Sequence, residues 1–155
     1  MKEDTEKLVG YCGLYCGACG IRQGRVKQGV ENLRNVIHAY GFDKIAPELA
    51  KWEPSLTHYV KFEEVMDGLA KLFGECPGCV DSGGNPECEI RTCSKERGYT
   101  TCADCREIEK CERVKRFGEA PRRLREIKAK GVRNWREEMQ KKVDAGYCYL
   151  DERIK

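Results

Sequence analysis

The stretch "YCGLYCGACGIRQG", residues 11–24, places Cys12, Cys16 and Cys19 close together, with glycines between them. Three thiols this near in sequence cannot all pair with one another, so we expect them to hold something in common. The whole chain has 11 cysteines in 155 residues. That content is close to the level found in domains that are cross-linked by disulfides or by metal ions.

The redox compartment decides between these two kinds of cross-link. The N-terminal "MKEDTEKLVGYCG" shows neither the apolar segment nor the cleavage pattern of a secretion signal. No apolar run approaches the ~18 residues of a membrane span. We therefore expect a cytoplasmic protein without a membrane segment, whose reduced cysteines are metal ligands. A disulfide scaffold would require a lost signal peptide and would leave one cysteine unpaired.

Apolar residues at helical spacing predict two amphipathic helices in the first half of the chain. One stripe is Val26, Val30, Leu33, Ile37 and Tyr40, closed by Gly41; the other is Tyr59, Phe62, Met66, Leu69 and Phe73, closed by Gly74. Between them a short helix is expected to begin at Pro47. Residues 75–102 read as loop because they are rich in Gly, Pro, Cys and Ser.

Further helices are predicted at about 103–117, from Pro121 to Gly131, and over 132–143. No alternating strand pattern exceeds about four residues. The predicted fold class is mainly α: a small, irregular, cysteine-rich domain held by metal ions, with amphipathic helices around loops like those of zinc ribbons and knuckles. We expect one domain over 1–155. Its cysteine-rich part would be 10–112, with a helical insertion at about 25–73, and its basic helical part 113–145.

Ten cysteines form three sequence clusters, which we take as the metal ligands. They are C-x3-C-x2-C (Cys12, Cys16, Cys19), C-x2-C-x8-C-x4-C (Cys76, Cys79, Cys88, Cys93) and C-x2-C-x5-C (Cys102, Cys105, Cys111). A C-x2-C turn directs two thiolates at one ion. The simplest assignment from the spacing is a single metal site formed by "CPGC" at 76–79 and "CADC" at 102–105. A cross-braced arrangement, in which Cys88 and Cys93 join the turn at 76–79, stays open.

The metal is expected to be zinc, as two ions, with a [4Fe-4S] cluster as the alternative. Zinc in four-thiolate sites staples loops and supplies folding energy, and iron–sulfur clusters also take four thiolates. The order C-x3-C-x2-C also occurs in radical S-adenosylmethionine enzymes, but those require a barrel of strands that this sequence does not predict. Nothing indicates catalysis, because a catalytic zinc keeps an open position and usually a non-thiolate ligand.

A basic region follows the cysteines. Residues 113–142 hold 12 basic and 4 acidic side chains, although the whole chain carries only +3. Such a cluster is typical of nucleic-acid binding, but it is equally typical of the solvated faces of amphipathic helices. We prefer the second interpretation and keep a nucleic-acid-binding zinc ribbon as a further alternative.

The chain as a whole resembles an uncharacterised cysteine-rich family, DUF3795 (domain of unknown function 3795). The resemblance is carried by "GYCGLYCGACGIR", by "CPGC…CEIRTC…GYTTCADC…C" and by the late "GVRNWREEM", over about residues 10–140. It implies zinc ligation by the same ten cysteines and implies no reaction. Cys148 is not part of the shared pattern and is expected to be a free thiol. The expected role is a binding or adaptor module with structural metal sites, or alternatively an iron–sulfur protein in electron transfer or redox sensing.

Overall fold

The structure is a computed structural model in which residues 5–154 are described. These residues form eight α-helices: α1 (Arg25–Ala39), α2 (Phe42–Leu49), α3 (Tyr59–Phe73), α4 (Glu89–Glu96), α5 (Glu112–Lys115), α6 (Ala120–Lys130), α7 (Val132–Asp144) and α8 (Tyr149–Arg153). Short 3₁₀ helices cover Thr5–Leu8, Cys16–Ala18, Pro54–His58, Cys102–Asp104 and Ile108–Lys110. In this part of the chain β pairing is limited to an isolated bridge between Val9 and Tyr15. The prediction of a mainly α protein is confirmed.

The chain divides into two compact units. The insertion unit is Gly20–Glu75 and contains α1, α2 and α3. The body unit consists of the chain up to Cys19 and from Cys76 onward. All ten cysteines of the predicted ligand set therefore belong to the body unit, and the insertion unit begins and ends next to two of them.

The helices of the insertion unit follow the predicted apolar stripes. Helix α1 ends one residue before Tyr40, and Gly41 has the left-handed backbone (φ 68°) that favours glycine after a helix. Helix α3 ends at Phe73, with Gly74 as its C-cap. The prediction for α2 was wrong at its start: the helix begins at Phe42, directly after Gly41, and Pro47 lies inside it.

The insertion unit buries few side chains. Those that are buried are Val30, Ala46 and Met66, whereas large apolar side chains are exposed along all three helices. An ion pair between Arg34 and Glu63 (3.1 Å) links α1 to α3. Between the helices lies a cavity of about 470 Å³ with a largely apolar lining that includes Phe42 and Ala46.

The body unit has one apolar core. It is formed by Tyr15 from the first cysteine cluster, Leu124 and Ile127 from α6, and Trp135 and Met139 from α7. As predicted, α6 ends and α7 begins at Gly131, which lies between them. Their apolar faces cover the cysteine-rich loops, so the C-terminal third supports the candidate site.

Two predictions for the body unit were wrong. Helix α4 lies within residues 75–102, which were expected to be loop; an unbroken run without Gly or Pro follows Cys88, its N-cap. The continuous helix expected over 103–117 is replaced by two 3₁₀ turns and the short α5. The reason lies at Cys105 and Cys111, whose extended backbones (ψ 129° and 105°) interrupt any helix.

Among the helices of residues 5–154, none combines the length and the apolar character needed to cross a membrane.

Candidate metal centre

The first C-x2-C turn is a single turn of 3₁₀ helix over Cys16–Ala18. The backbone N–H of Cys19 donates to the carbonyl of Cys16 (3.1 Å), which brings both cysteines to the same side of the turn. Gly17 is required between them, because a Cβ at that position would lie 2.7 Å from Cε1 of the Tyr15 ring. The sequence Tyr-Cys-Gly-Ala-Cys thus builds a turn packed tightly on its own tyrosine.

Tyr15 anchors this turn to the C-terminal helices. Its side chain is fully buried, its ring meets Trp135 edge-on with the centroids 6.2 Å apart, and its hydroxyl donates to Gln140 Oε1. Its backbone N–H donates to the hydroxyl oxygen of Tyr149 (3.2 Å). The position of Cys16 is therefore fixed by α7 and α8, which lie far along the chain.

The turn at 76–79 lies beside the first turn. The backbone N–H of Cys79 donates to Cys16 Sγ at 3.5 Å, a contact that stabilises a thiolate. The pKa of Cys16 is raised to about 11, first by burial, with the Cys79 N–H acting to lower it and with Cys79, Cys19 and Cys76 acting to raise it as neighbouring thiolates. These four cysteines, Cys16, Cys19, Cys76 and Cys79, are called the first group below.

A second group surrounds Cys102. The pKa of Cys102 is raised to about 11, first by burial and, among nearby charges, by Cys111, Cys12 and Cys93. Cys105 closes the same 3₁₀ turn, since its N–H donates to the Cys102 carbonyl (3.1 Å). The pKa of Arg97 is raised first by a hydrogen bond with the Tyr99 side chain and then by Cys93 and Cys105, so both cysteines lie near this arginine. We define Cys93, Cys102, Cys105 and Cys111 as the second group, and Cys12 also lies near Cys102.

Neighbouring polar side chains hold the second group. Ser94 is buried and its hydroxyl oxygen lies 3.2 Å from Cys102 Sγ. The turn begins with a capping box, in which Asp104 Oδ2 accepts the backbone N–H groups of Thr100 (2.9 Å) and Thr101 (3.1 Å). Ser94 and Asp104 were missed by sequence reasoning. The pattern Thr-x-x-Asp, which resembles a capping box, was the available signal for Asp104.

Three cysteines lie outside the two groups. Cys12 is partly buried, and this burial raises the pKa of its thiol; Cys79 and Cys88 raise it further, whereas Arg123 lowers it. Cys12 thus lies near Cys88 and near one member of each group. Cys148 is fully buried at the start of α8.

The cysteines that neighbour Cys16 and Cys102 suggest a grouping other than the one that spacing favoured, and the structure does not test either pairing. Cys76 and Cys79 are neighbours of Cys16, and the cysteines whose charges act on Cys102 are Cys111, Cys12 and Cys93. As the side chains are placed, no three Cys, His, Asp or Glu residues within 5–154 form a group that could hold a metal ion. The membership of the ten predicted ligands stays a prediction.

The basic helices carry much of their charge in local ion pairs. Seven of the 12 basic side chains in 113–142 contact a glutamate: Arg113, Lys115, Arg122, Arg125, Lys130, Arg133 and Arg136. Most of these pairs are exposed and each contributes little to stability. The arrangement favours a solvated helix surface over a continuous polyanion-binding face.

The fold and the cysteine arrangement define a mainly helical, cysteine-rich protein whose cysteines all lie in the body unit, with a three-helix unit inserted in the sequence between Cys19 and Cys76. The chain belongs to the family described as protein of unknown function DUF3795, which matches residues 8–116. That match ends before α6, so the supporting helices α6 and α7 lie outside it. Comparison with curated proteins and with solved structures gave no match.

Proposed function

We propose that this is a zinc protein whose two ions are structural, one in the first group and one in the second. The observation that carries the proposal is the meeting of two C-x2-C turns, in which the Cys79 N–H donates to Cys16 Sγ. Two such turns offer four thiolates from two short, rigid segments, which is the donor set that zinc takes in structural sites.

The first group fits an ion on a second ground, its close backbone packing. A Cβ on Gly83 would lie 2.8 Å from Cys76 Sγ, and a Cβ on Gly10 would lie 3.3 Å from Cys79 Cβ. Glycines therefore let two loops approach the sulfur atoms closely. Binding of an ion would require the cysteine side chains to turn toward a common point, since the sulfur atoms do not form a ligand group in the described residues.

The second group also fits a tetrathiolate. A hydrogen-bond donor beside a sulfur atom stabilises its charged form, and the Ser94 hydroxyl lies at the right distance from Cys102. The capping box then fixes the turn that joins Cys102 to Cys105. When bound, the metal would supply cross-links between segments that otherwise share few backbone hydrogen bonds.

Zinc is favoured over an iron–sulfur cluster by the burial of the first turn. Electron transfer would favour a cluster near the surface, yet Cys16 is 5 % exposed and Ala18 is fully buried. The buried Cys16, supported by Tyr15 and Trp135, suits a structural site, while Cys19, Cys76 and Cys79 are partly exposed. An iron–sulfur centre is the alternative, because thiolate ligation by itself does not separate the two.

The expected role is that of a cytoplasmic binding or adaptor module, with the insertion unit as its contact region. Support comes from apolar side chains that the insertion unit exposes, among them Leu33, Val36, Val65, Leu69 and Leu72. Exposed apolar residues gathered on one part of a protein are typical of interaction surfaces. Nucleic-acid binding through 113–142 has less support, because local ion pairs offset that region's charge.

The decisive experiment is to measure metal and acid-labile sulfide, with a visible spectrum, on protein purified without oxygen. We expect two zinc ions per chain, no sulfide and no colour. A brown protein containing iron and sulfide would replace zinc by the cluster alternative. If the purified protein contains no metal in stoichiometric amount, the proposal of metal binding is refuted.

A further inference from the structure

Arg91, the third residue of α4, is a buried cation without an acidic partner. Its exposure is 7 %, and none of the ion pairs formed by residues 5–154 includes it. Burying an arginine is costly unless its donors are bonded and its charge is offset. Its surroundings should therefore show both how the donors are satisfied and where the compensating charge lies.

Backbone carbonyls satisfy the donors. Nη1 donates to the carbonyl of Gly83 (2.7 Å), and Nη2 donates to those of Asn85 (2.6 Å) and Pro86 (3.0 Å). The guanidinium thereby holds the loop that joins the turn at 76–79 to α4. Carbonyl groups carry no net charge, so these hydrogen bonds satisfy the donors of Arg91 without neutralising its positive charge.

The loop that Arg91 holds lies directly against the first group. Gly83 donates its N–H to the Gly78 carbonyl (2.7 Å), within the Cys76–Cys79 turn. The space that a Cβ on Gly83 would need is already taken by Cys76 Sγ, at 2.8 Å. Arg91 thus reaches a candidate ligand through a single intervening residue.

Charge complementarity points to the same place. Four thiolates around a divalent ion carry a net charge of about −2, which is the sign that a lone buried guanidinium lacks.

We propose that Arg91 is a positioning residue for the first group, which holds the loop behind Cys76 and offsets the negative charge of the four thiolates. This inference rests on the proposed function, because it requires an ion at the first group. The hydrogen bonds of the Arg91 guanidinium go to the loop behind Cys76, so the effect of Arg91 on metal affinity should be larger at the first group than at the second.

The test compares zinc affinity, by competition with a chromophoric chelator, in two full-length backgrounds. Cys102→Ser leaves the first group intact, and Cys76→Ser leaves the second. Adding Arg91→Gln should weaken zinc binding about 10–100-fold in the Cys102→Ser chain, as is typical when an outer-sphere partner is lost. In the Cys76→Ser chain it should change affinity less than about threefold.

Two further variants separate positioning from general destabilisation. Arg91→Lys keeps the charge but not the fork of donors, so it should restore part of the affinity that Arg91→Gln loses; it also serves if Arg91→Gln does not fold. Arg97→Gln is the matched control, because Arg97 is half exposed and pairs with Glu107 (3.9 Å). Its effect on the first group should be under about threefold.

Equal weakening of zinc binding in both backgrounds, or no weakening in either, would overturn the role of Arg91. Failure of the proposed function would look different, since the chain without any substitution would then bind no zinc. The closing measurement is therefore the zinc stoichiometry of the unmodified chain, followed by the two affinities.

Discussion

The two cysteine groups differ in the length of chain that they join. The first group links Cys16 and Cys19 to Cys76 and Cys79, with the whole insertion unit between them. The second group lies within residues 93–111, where the longest interval is the one between Cys93 and Cys102. Loop-closure entropy grows with the logarithm of loop length, so closing the longer loop should restrict the unfolded chain by roughly 2 kcal/mol more.

The groups also differ in what holds their turns. The first turn depends on distant parts of the fold, because Tyr15 is fixed by α7 and α8. The second depends mainly on nearby residues, Ser94 and Asp104, with one longer-range hydrogen bond from the Cys102 N–H to the Tyr11 carbonyl (2.8 Å). We infer that the first group reports on the folding of the whole body unit, whereas the second is a local staple.

The largest expected effects come from removing one ligand of each group. Cys76→Ser and Cys102→Ser should each lose one of two zinc ions, and the double variant should lose both. Structural zinc contributes about 10–16 kcal/mol of apparent binding free energy, so each loss should unfold the loops around its group. Metal content and circular dichroism would measure this.

The double variant also decides between the two pairings. If all four cysteines of the turns at 76–79 and 102–105 shared one ion, the double variant would lose no more zinc than either single variant. Cys148→Ser is the control, because Cys148 lies outside both groups, and it should retain two ions.

Proton release is the next largest effect. The pKa values of Cys16 and Cys102 are raised to about 11, so both thiols are neutral at pH 7 without metal and must lose protons to bind it. Binding should release up to four protons per ion, and affinity should rise up to tenfold per pH unit for each. Calorimetry in buffers of different ionisation enthalpy measures the count; a group that releases two or fewer is not a tetrathiolate.

The same values predict the pH dependence of the metal-free fold. Burial raises these pKa values from 9.0 to about 11. The neutral thiols thus favour the folded state fully below about pH 9, and this contribution is lost as the pH rises to about 11. Zinc-loaded protein should lack this dependence, which a denaturant titration at pH 8 and pH 11 would show.

Gly17→Ala should destabilise the turn that carries Cys16 and Cys19 of the first group. The added methyl group would meet the buried Tyr15 ring at 2.7 Å, and overpacking of this kind costs about 1–3 kcal/mol in the free energy of unfolding. Gly29→Ala is the matched control, since a Cβ there meets nothing within 4 Å inside α1. It should stabilise its helix by about 0.5–1 kcal/mol. Equal effects in denaturant unfolding would contradict the packing of the first turn.

Asp104→Ala should lower the free energy of unfolding by a smaller amount, through the turn that carries Cys102 and Cys105 of the second group. It removes the acceptor of two backbone N–H groups, and losing a cap costs about 1 kcal/mol. Asp104→Asn keeps an oxygen acceptor and should cost less. A loss of zinc affinity at the first group instead of the second would show that the two groups are not independent.

The helices were predictable where local pattern decides them. The stripes of α1 and α3 and the glycines that follow them fix both helices without reference to the rest of the chain. The prediction of a continuous helix over 103–117 was wrong because Cys105 and Cys111 adopt an extended backbone, which periodicity does not reveal. The sequence predicts which cysteines are ligands, but it does not predict which of them lie close together. Cys79 and Cys16 are in contact although the whole insertion unit lies between them in the sequence. Tyr15 is held by helices more than a hundred residues further along the chain.

Cys12→Ser tests the boundary between the groups and should have the smallest effect on metal content. Cys12 lies near Cys79 and Cys102, yet each group already has four thiols without it. The variant should therefore retain two zinc ions, with affinities within about threefold of the unmodified chain, and Cys88→Ser should match it. Loss of one ion from Cys12→Ser would instead place Cys12 among the ligands of the second group. The second group would then take a ligand from the N-terminal segment, to which Cys102 is already joined by its N–H bond to the Tyr11 carbonyl, and the contrast between a local and a long-range staple would no longer hold.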